Sequence, residues 1–343
     1  MTVYHPPMRV PFDVLHAALR RALETMGFRA DRADLCARLF AEASRDGVSS
    51  HGLNRFPRFI ETIRNGVVDI HAEPQRVAQP GAGALQRWDG HRGPGNLNAH
   101  RCMQEAITLS RQHGIGAIAL ANTNHWMRAG SYGWQAADAG VIGICWTNTM
   151  PNLPPWGAAE RRLGNNPLVI AVPRRDGHVV LDMAMSQFSY GALASYRQRG
   201  DLLPVVGGFD ESGELTRDPA AIEASWRPLP IGFWKGSGLA LMLDLVAALL
   251  SGGQATHQLS PVPEQETGVS QVFLAFDITS STTAASMADQ IIANLHAPLR
   301  DGGRVRYPGE RTLEIRRDSL ANGVPVDPAI WESVQNLQAL PEA

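Results

Sequence analysis

The chain has 343 residues, enough for about two domains, with 44% hydrophobic and 19% charged residues and a net charge of −2. That balance supports a packed globular core and gives no electrostatic reason to expect nucleic acid or an anionic membrane as partner. Cys36, Cys102 and Cys145 are far apart and form no CxxC pair, so no zinc knuckle or disulfide framework is expected, and reduced thiols in a cytoplasm fit.

The N-terminal "MTVYHPPMRVPFDVL" lacks a basic stretch followed by an apolar run, so no signal peptide is expected. Next come helical patterns. Phe12, Leu15, Leu19, Leu23 and Met26 recur at helical spacing before Gly27, and Leu35, Leu39 and Phe40 repeat the pattern before Gly47. A further helix is expected from about Arg55 to Arg64. The intervening "SSHGLNRFPRF" joins two helices and sets His51 beside Gly52, with Arg55 four positions on. An imidazole can donate a proton near neutral pH, and a guanidinium matches a carboxylate. The competing reading is a surface histidine at a helix end.

From about residue 80, apolar runs bounded by Gly, Pro and Asn read as strands: "GIGAIALAN", "VIGICW", "PLVIAVP", "HVVLDMAM" and "VSQVFLAFDI". Helices are expected between them at 96–113, 131–139, 186–199, 236–250 and 283–295, and again in "ERTLEIRRDSLANG" and "DPAIWESVQNL". The run Gly238–Leu250, too short to span a bilayer, reads as a buried core helix. Residues 200–230 are polar and rich in Pro and Gly, and read as a surface excursion or lid. The resulting fold class is α/β (α+β). A helical domain built from both termini (1–78 and 308–343) accompanies a central α/β domain with a mixed sheet (79–307).

The stretch "GPGNLN", Gly93–Asn98, precedes a helix but has Asn98 where a third glycine belongs, and Pro94 offers no N–H. No acidic residue stands about 20 positions on. A turn feeding a helix is the better reading than a Rossmann site. Chemistry-bearing groups cluster elsewhere. "NTNHWMRAGSYGW" brings His125 and Arg128 to a strand–helix junction. "LDMAMS" places Ser186 as the N-cap of a helix whose free N–H groups could receive a phosphate. "GFWKGSG" sets Lys235 among glycines. His51 and His125 have no metal-ligand spacing, so no metal site is expected.

With "GVSSHGLNRFPRFIETIRNG", "ANTNHWMRAGSYGWQAADAGVIGICWTNTMPNLPPWGA", "LDMAMSQFSYG", "FWKGSGLALMLDL" and "YPGE" in this order, the chain resembles the malate/L-lactate dehydrogenase family that lacks a Rossmann fold. The resemblance implies a cytoplasmic, homodimeric reductase of 2-oxo acids that uses NADH, or NADPH. It implies that His51, beside Ser50, is the proton donor and that Arg55 meets the substrate carboxylate. It further implies dinucleotide contacts from His125, from Val180, Leu181, Asp182, Met183, Ala184, Met185 and Ser186, from Trp234 and Lys235, and from Gly309, Glu310 and Arg311. Two departures stand out: Asn165 in "GNNP" replaces a threonine common in the family, and "PGER" replaces the PGHE of one member. Alternatives left open are the same chemistry on malate, lactate, sulfolactate, ureidoglycolate or a cyclic imino acid, and an inactive sugar-acid binding protein. For the dimer, Phe56, Phe59, Leu153 and Trp156, set among prolines and arginines, are the expected interface residues.

Overall fold

The computed structural model describes residues 8–78, 83–280, 283–299, 302–303 and 305–337. Strand β1 (Met8–Val10) leads into α1 (Phe12–Thr25) and α2 (Ala30–Arg45), and α3 (Phe56–Arg64) follows two short 3-10 turns, Ser49–His51 and Leu53–Arg55. The central elements are β2 (Gln75–Arg76), β3 (Leu85–Asp89), α4 (Gly95–His113), β4 (Ile115–Thr123), α5 (Gly130–Asp138), β5 (Val141–Thr147), β6 (Leu168–Val172) and β7 (Val179–Met183). Then come α6 (Tyr190–Arg199), β8 (Gly208–Phe209), β9 (Leu215–Thr216), α7 (Pro219–Ser225), α8 (Trp234–Ser251), β10 (Val269–Asp277) and α9 (Ala284–Leu295). The chain closes with α10 (Glu310–Asn322), β11 (Val324–Val326) and α11 (Pro328–Leu337).

Seven strands form one sheet in the order β2-β3-β4-β10-β5-β6-β7. Only β3 and β4 run parallel, joined through α4; the remaining neighbours are antiparallel, so the sheet is mixed as expected. Strand alternation sorts the core. Phe273 and Ala275 of β10 face α4 and α5, where Met103, Tyr132 and Trp134 pack. Val272 faces the other side with Trp146, against Ala240, Leu243 and Ala247 of α8. The termini meet through β1 and β11, paired antiparallel from Met8–Val326 to Val10–Val324. Beside them, Leu15, Leu19, Phe40, Phe56, Phe59, Trp331 and Val334 form a third core.

Several sequence expectations are corrected. Phe56, Phe59 and Leu153 are buried inside the single chain, and of the four aromatic and aliphatic candidates only Trp156 is exposed, tilted against Phe233 at 4.8 Å. The α3 face that carries Phe56 and Phe59 is consumed by packing on Phe40. The apolar run at 238–250 belongs to an 18-residue helix, long and apolar enough by composition to cross a membrane. It is not a buried core helix, because only one stripe of it rests on the sheet. Leu239, Leu241, Met242, Leu245 and Leu249 are exposed. Ser186 caps no helix: the chain stays extended past β7 because Ser186 bridges Pro230 and the Gln187 N–H reaches Leu229 O. Ser189 caps α6 instead, accepting from the Ala192 N–H at 3.1 Å. Residues 200–230 hold two short strands and a helix on a small core of Leu193, Leu203 and Ile222. The stretch Leu85–Asp89, not among the expected strands, pairs between β2 and β4.

Phe59 gives a direct test of this packing. Phe59→Ala is expected to cost about 3–5 kcal/mol of unfolding free energy in urea titration. An unchanged denaturation midpoint would place the ring outside the core.

Candidate active site

The turn carrying His51 is fixed by a close approach. A Cβ on Gly52 would lie 2.2 Å from Ser44 Oγ and 2.9 Å from Phe40 O, so only glycine lets this turn sit on the end of α2. The Leu53 N–H donates to Ser44 Oγ at 2.7 Å and the Arg55 N–H to Gly52 O at 2.9 Å. Ser50, His51 and Arg55 thereby enter one cavity of about 820 Å³. The β4–α5 loop brings His125 and Arg128 to the same cavity, the end of β7 brings Val180, Leu181, Asp182 and Ala184, and the turn before α10 brings Gly309.

The His51 and His125 rings stack at 5.9 Å with 14° between planes. The Met127 N–H donates to His125 Nδ1 at 3.1 Å, so the neutral ring carries its proton on Nε2. Ser50 Oγ lies 3.1 Å from His51 Nδ1; when the hydroxyl donates there, His51 also holds its proton on Nε2. Burial, then the charges of Arg55 and Arg128, push the His51 imidazole down to about 4. Burial, with Arg55 and His51, takes His125 well below the ordinary range. Burial and the neighbouring Arg58 push the Arg55 guanidinium down to about 10, with Glu266 and Glu264 opposing. It stays cationic at neutral pH, and among the described residues no carboxylate lies within ion-pair distance of it. Asp182 accepts from the Gly130 N–H at 2.8 Å, and burial raises its carboxyl above the ordinary range. Among the described residues, two neutral imidazoles and the guanidinium groups of Arg55, Arg58, Arg128 and Arg306 line the cavity against the carboxyl groups of Asp182 and Glu266, an excess of positive groups suited to a small organic anion.

The second half of the cavity suits an elongated ligand. The Val180 N–H donates to Pro308 O at 2.9 Å, clamping β7 to the turn before α10. Gly309 is left-handed (φ 95°) and caps α10, and a Cβ there would stand 3.1 Å from Val180 N. The 13-residue α10 thus turns its positive end toward the cavity through Gly309 and Thr312, next to the flat wall of Trp134. These residues fit a dinucleotide with an anionic linker. The glycine-rich loop does not. Asn98 Nδ2 donates to Gly90 O and Thr123 Oγ1, and a Cβ on Gly95 would lie 2.1 Å from Asn124 O, so the N-terminus of α4 is filled by the protein itself.

Other expected positions fall outside the cavity. Met183 and Met185 pack toward α8, and Ser186 is buried. Trp234 and Lys235 stand exposed on the first turn of α8, while Glu310 lies 3.5 Å from His296, and Arg311 is exposed. Sequence reasoning passed over Asp46, Arg58, Tyr190, Trp226 and Glu266. Trp226 has a left-handed backbone (φ 56°) and tilts against Tyr190 at 5.3 Å on the cavity wall. Asn165 Oδ1 lies 3.2 Å from both Thr149 Oγ1 and Asn152 Nδ2, so the residue that departs from the family threonine faces the cavity in a held orientation.

A family model described as malate/L-lactate dehydrogenase matches residues 10–335. A 2,3-diketo-L-gulonate reductase from Salmonella typhi is 45% identical over 335 residues, covering 96% of this chain and all of the relative. Malate dehydrogenase from Pyrococcus horikoshii OT3 superposes with a TM-score of 0.86 at 27% identity, covering 99% of this chain and 97% of the other. Sulfolactate dehydrogenase from Methanocaldococcus jannaschii gives 0.88 at 25% identity, covering 96% of each.

The depressed His51 has a thermodynamic consequence. Between about pH 6.5 and 4 the unfolded chain binds this proton more readily than the folded one, so stability is full above that window and falls as pH drops through it. His51→Gln is expected to lose about 2–3 kcal/mol less than the parent between pH 7.5 and 4.5 in urea unfolding. Equal losses would mean the ring titrates normally.

Proposed function

Because the chain belongs to the malate/L-lactate dehydrogenase family, whose members are oxidoreductases acting on CH–OH groups, we propose that it reduces a 2-oxo acid to a 2-hydroxy acid with NADH, NADPH being the alternative. The proposed substrate is 2,3-diketo-L-gulonate and the product 3-dehydro-L-gulonate. The likeness to the Salmonella typhi reductase over the whole chain supports that choice. The observation that carries the chemistry is the meeting in one cavity of His51 and Arg55, which among the described residues has no carboxylate within ion-pair distance.

In this reading Arg55 takes the substrate carboxylate, and the buried setting makes that contact stronger than it would be in water. Val180, Leu181, Asp182, Ala184 and Gly309, with the positive end of α10, hold the dinucleotide. When bound, the dihydronicotinamide supplies a hydride to the carbonyl carbon. His51 gives the proton to the carbonyl oxygen, and Ser50 keeps the ring oriented. Burial first, and then the charges of Arg55 and Arg128, keep His51 neutral in the free protein. A bound carboxylate offsets those charges, so the ring takes up its proton together with the anion. His125, with its proton fixed on Nε2, is a second neutral donor in the hollow. Alignment of these groups away from bulk water supplies much of the rate.

The proposal includes a cytoplasmic homodimer and the division into a terminal helical unit (1–78 with 308–343) and a central unit (79–307). The exposed apolar face of α8, with Leu241, Met242, Leu245 and Leu249, supports the assembly. Trp234 and Lys235, on the first turn of the same helix and exposed, would then lie near the subunit boundary.

Three outcomes are expected. His51→Ala should lower kcat by roughly two to four orders of magnitude while dinucleotide Kd holds; near-normal turnover would remove His51 from proton transfer. In the parent enzyme, the alkaline limb of kcat should lie at higher pH than that of kcat/KM, since substrate raises the His51 pKa. Arg55, Arg58, Arg128, Arg306, His125, Asp182, Glu266, Tyr190 and Tyr307 are the charged or titratable groups that line the cavity with it, and coincident limbs would contradict the coupling. Leu245→Glu should yield a monomer by light scattering. A species of native size would move the interface elsewhere.

A further inference from the structure

Asp46 caps α2 and is almost fully buried, yet three guanidinium groups converge on it. Arg45 Nε donates to Oδ1 at 2.8 Å. Arg316 Nε and Nη2, from α10, donate to Oδ1 at 2.8 Å and Oδ2 at 2.6 Å. Arg128 Nη1, from the loop before α5, donates to Oδ2 at 2.6 Å. Four N–H donors saturate the acceptor sites of one carboxylate. One negative charge cannot neutralise three positive ones, and two of the three have other support. Arg45 has Glu42 at 3.6 Å, and Arg316 lies over the Trp134 ring at 4.4 Å.

Arg128 has less. Among the described residues its only side-chain hydrogen bond is the one to Asp46, and its Nε is enclosed with no acceptor at all. Its side chain is 5% exposed and lines the cavity. Its charge is felt by His51 and by Asp182, which face it across that cavity. A guanidinium anchored through one nitrogen, with its other donors unengaged beside the proton donor, is preorganised for an oxyanion.

We propose that Arg128 is a second substrate-contacting arginine, holding the carbonyl oxygen as it becomes an alkoxide, and that Asp46 is the residue that positions it. The inference rests on the reductase reading above. The bound dihydronicotinamide would supply the hydride for the new C–H bond at C2 and leave as the oxidised pyridinium; the carbonyl π pair moves to the oxygen, and the proton from His51 completes the hydroxyl. Arg55 takes the carboxylate and Arg128 the oxygen that gains charge, so their losses should differ in kind. Loss of a contact made mainly in the transition state lowers kcat more than it raises KM.

The test uses the whole enzyme with 2,3-diketo-L-gulonate and NADH, and the variants Arg128→Lys, Arg128→Ala, Asp46→Asn and Asp46→Glu. Arg128→Lys keeps a cation against Asp46 and protects the fold. It is expected to lower kcat about 10²- to 10³-fold with NADH Kd, read by fluorescence, unchanged. Guanidinium chloride at sub-denaturing concentration should restore part of the activity of Arg128→Ala. Asp46→Asn should lower kcat, and Asp46→Glu should recover part of it. A readout independent of turnover is the His51 ring titration by NMR, which should move to higher pH in Arg128→Ala because a facing positive charge is gone. An unmoved titration would overturn the inference. So would a loss confined to NADH Kd or substrate KM, normal kcat in Arg128→Lys, or a folded Arg128→Ala that guanidinium does not rescue. If the parent enzyme reduces no 2-oxo acid, the functional reading itself fails. If the parent turns over and Arg128→Lys matches it, only the role of Arg128 fails.

Discussion

The carboxylate of Asp46 is the point on which the arrangement turns. It ends α2, and through Arg128 and Arg316 it ties that helix to the loop before α5 and to α10. Those are the segments that wall the cavity: Gly47 to Arg55 follows the carboxylate directly, His125 precedes Arg128, and Gly309 begins the helix that carries Arg316. The guanidinium groups hold the Asp46 carboxyl far below its usual range despite its burial. Removing the anion would leave three cations facing one another in a dry setting, a loss on the order of 3–5 kcal/mol. The β1–β11 pairing closes the termini around the same place. Fold closure and site geometry therefore share one electrostatic tie.

The same surplus of positive charge shapes the chemistry. Burial and cations keep the His51 and His125 rings neutral and leave Arg55 short of a partner. An anionic ligand would pair with Arg55 and offset the cationic part of what keeps the rings neutral, so in the proposed reading affinity for a small acid and readiness to protonate its carbonyl draw on one field. Close backbone approach makes this possible. Gly52 has no room for a side chain against Ser44 and Phe40, and the Val180–Pro308 bond brings the last strand of the sheet against the start of α10. The sheet itself supplies a rigid floor, and its one parallel pair, β3 and β4, leads through a loop packed with its own asparagines rather than through a nucleotide cradle.

Much of this was legible in the sequence. Helical periodicity located α1, α2, α4 and α8 to within a few residues, and β-branched runs located β4 to β7 and β10, because each segment buries one face and the spacing records it. Strand β3 was missed since "LQRWD" has only two apolar residues among three polar ones and no β-branched residue, and its strand state comes from its neighbours. Burial was harder to read than secondary structure. Phe59 looked like interface and is core, and Leu249 looked like core and is exposed, since a one-dimensional pattern gives the apolar face but not what covers it. Ser186 and Ser189 are both plausible caps, and cross-chain pairing at Leu229 and Pro230 decides between them. His51, Arg55 and His125 could be singled out by residue type and turn position. Their convergence could not, because the tie that gathers them joins Asp46 to Arg316 across 270 positions.

Transfer of hydrogen can be followed atom by atom. With 2,3-diketo-L-gulonate and NADH deuterated at the transferable C4 position, mass spectrometry and NMR of the product should find one deuterium on C2 of a 2-hydroxy acid for each dinucleotide oxidised. A protein that binds the acid without oxidising NADH, or a product with no deuterium at C2, would contradict reduction at this cavity.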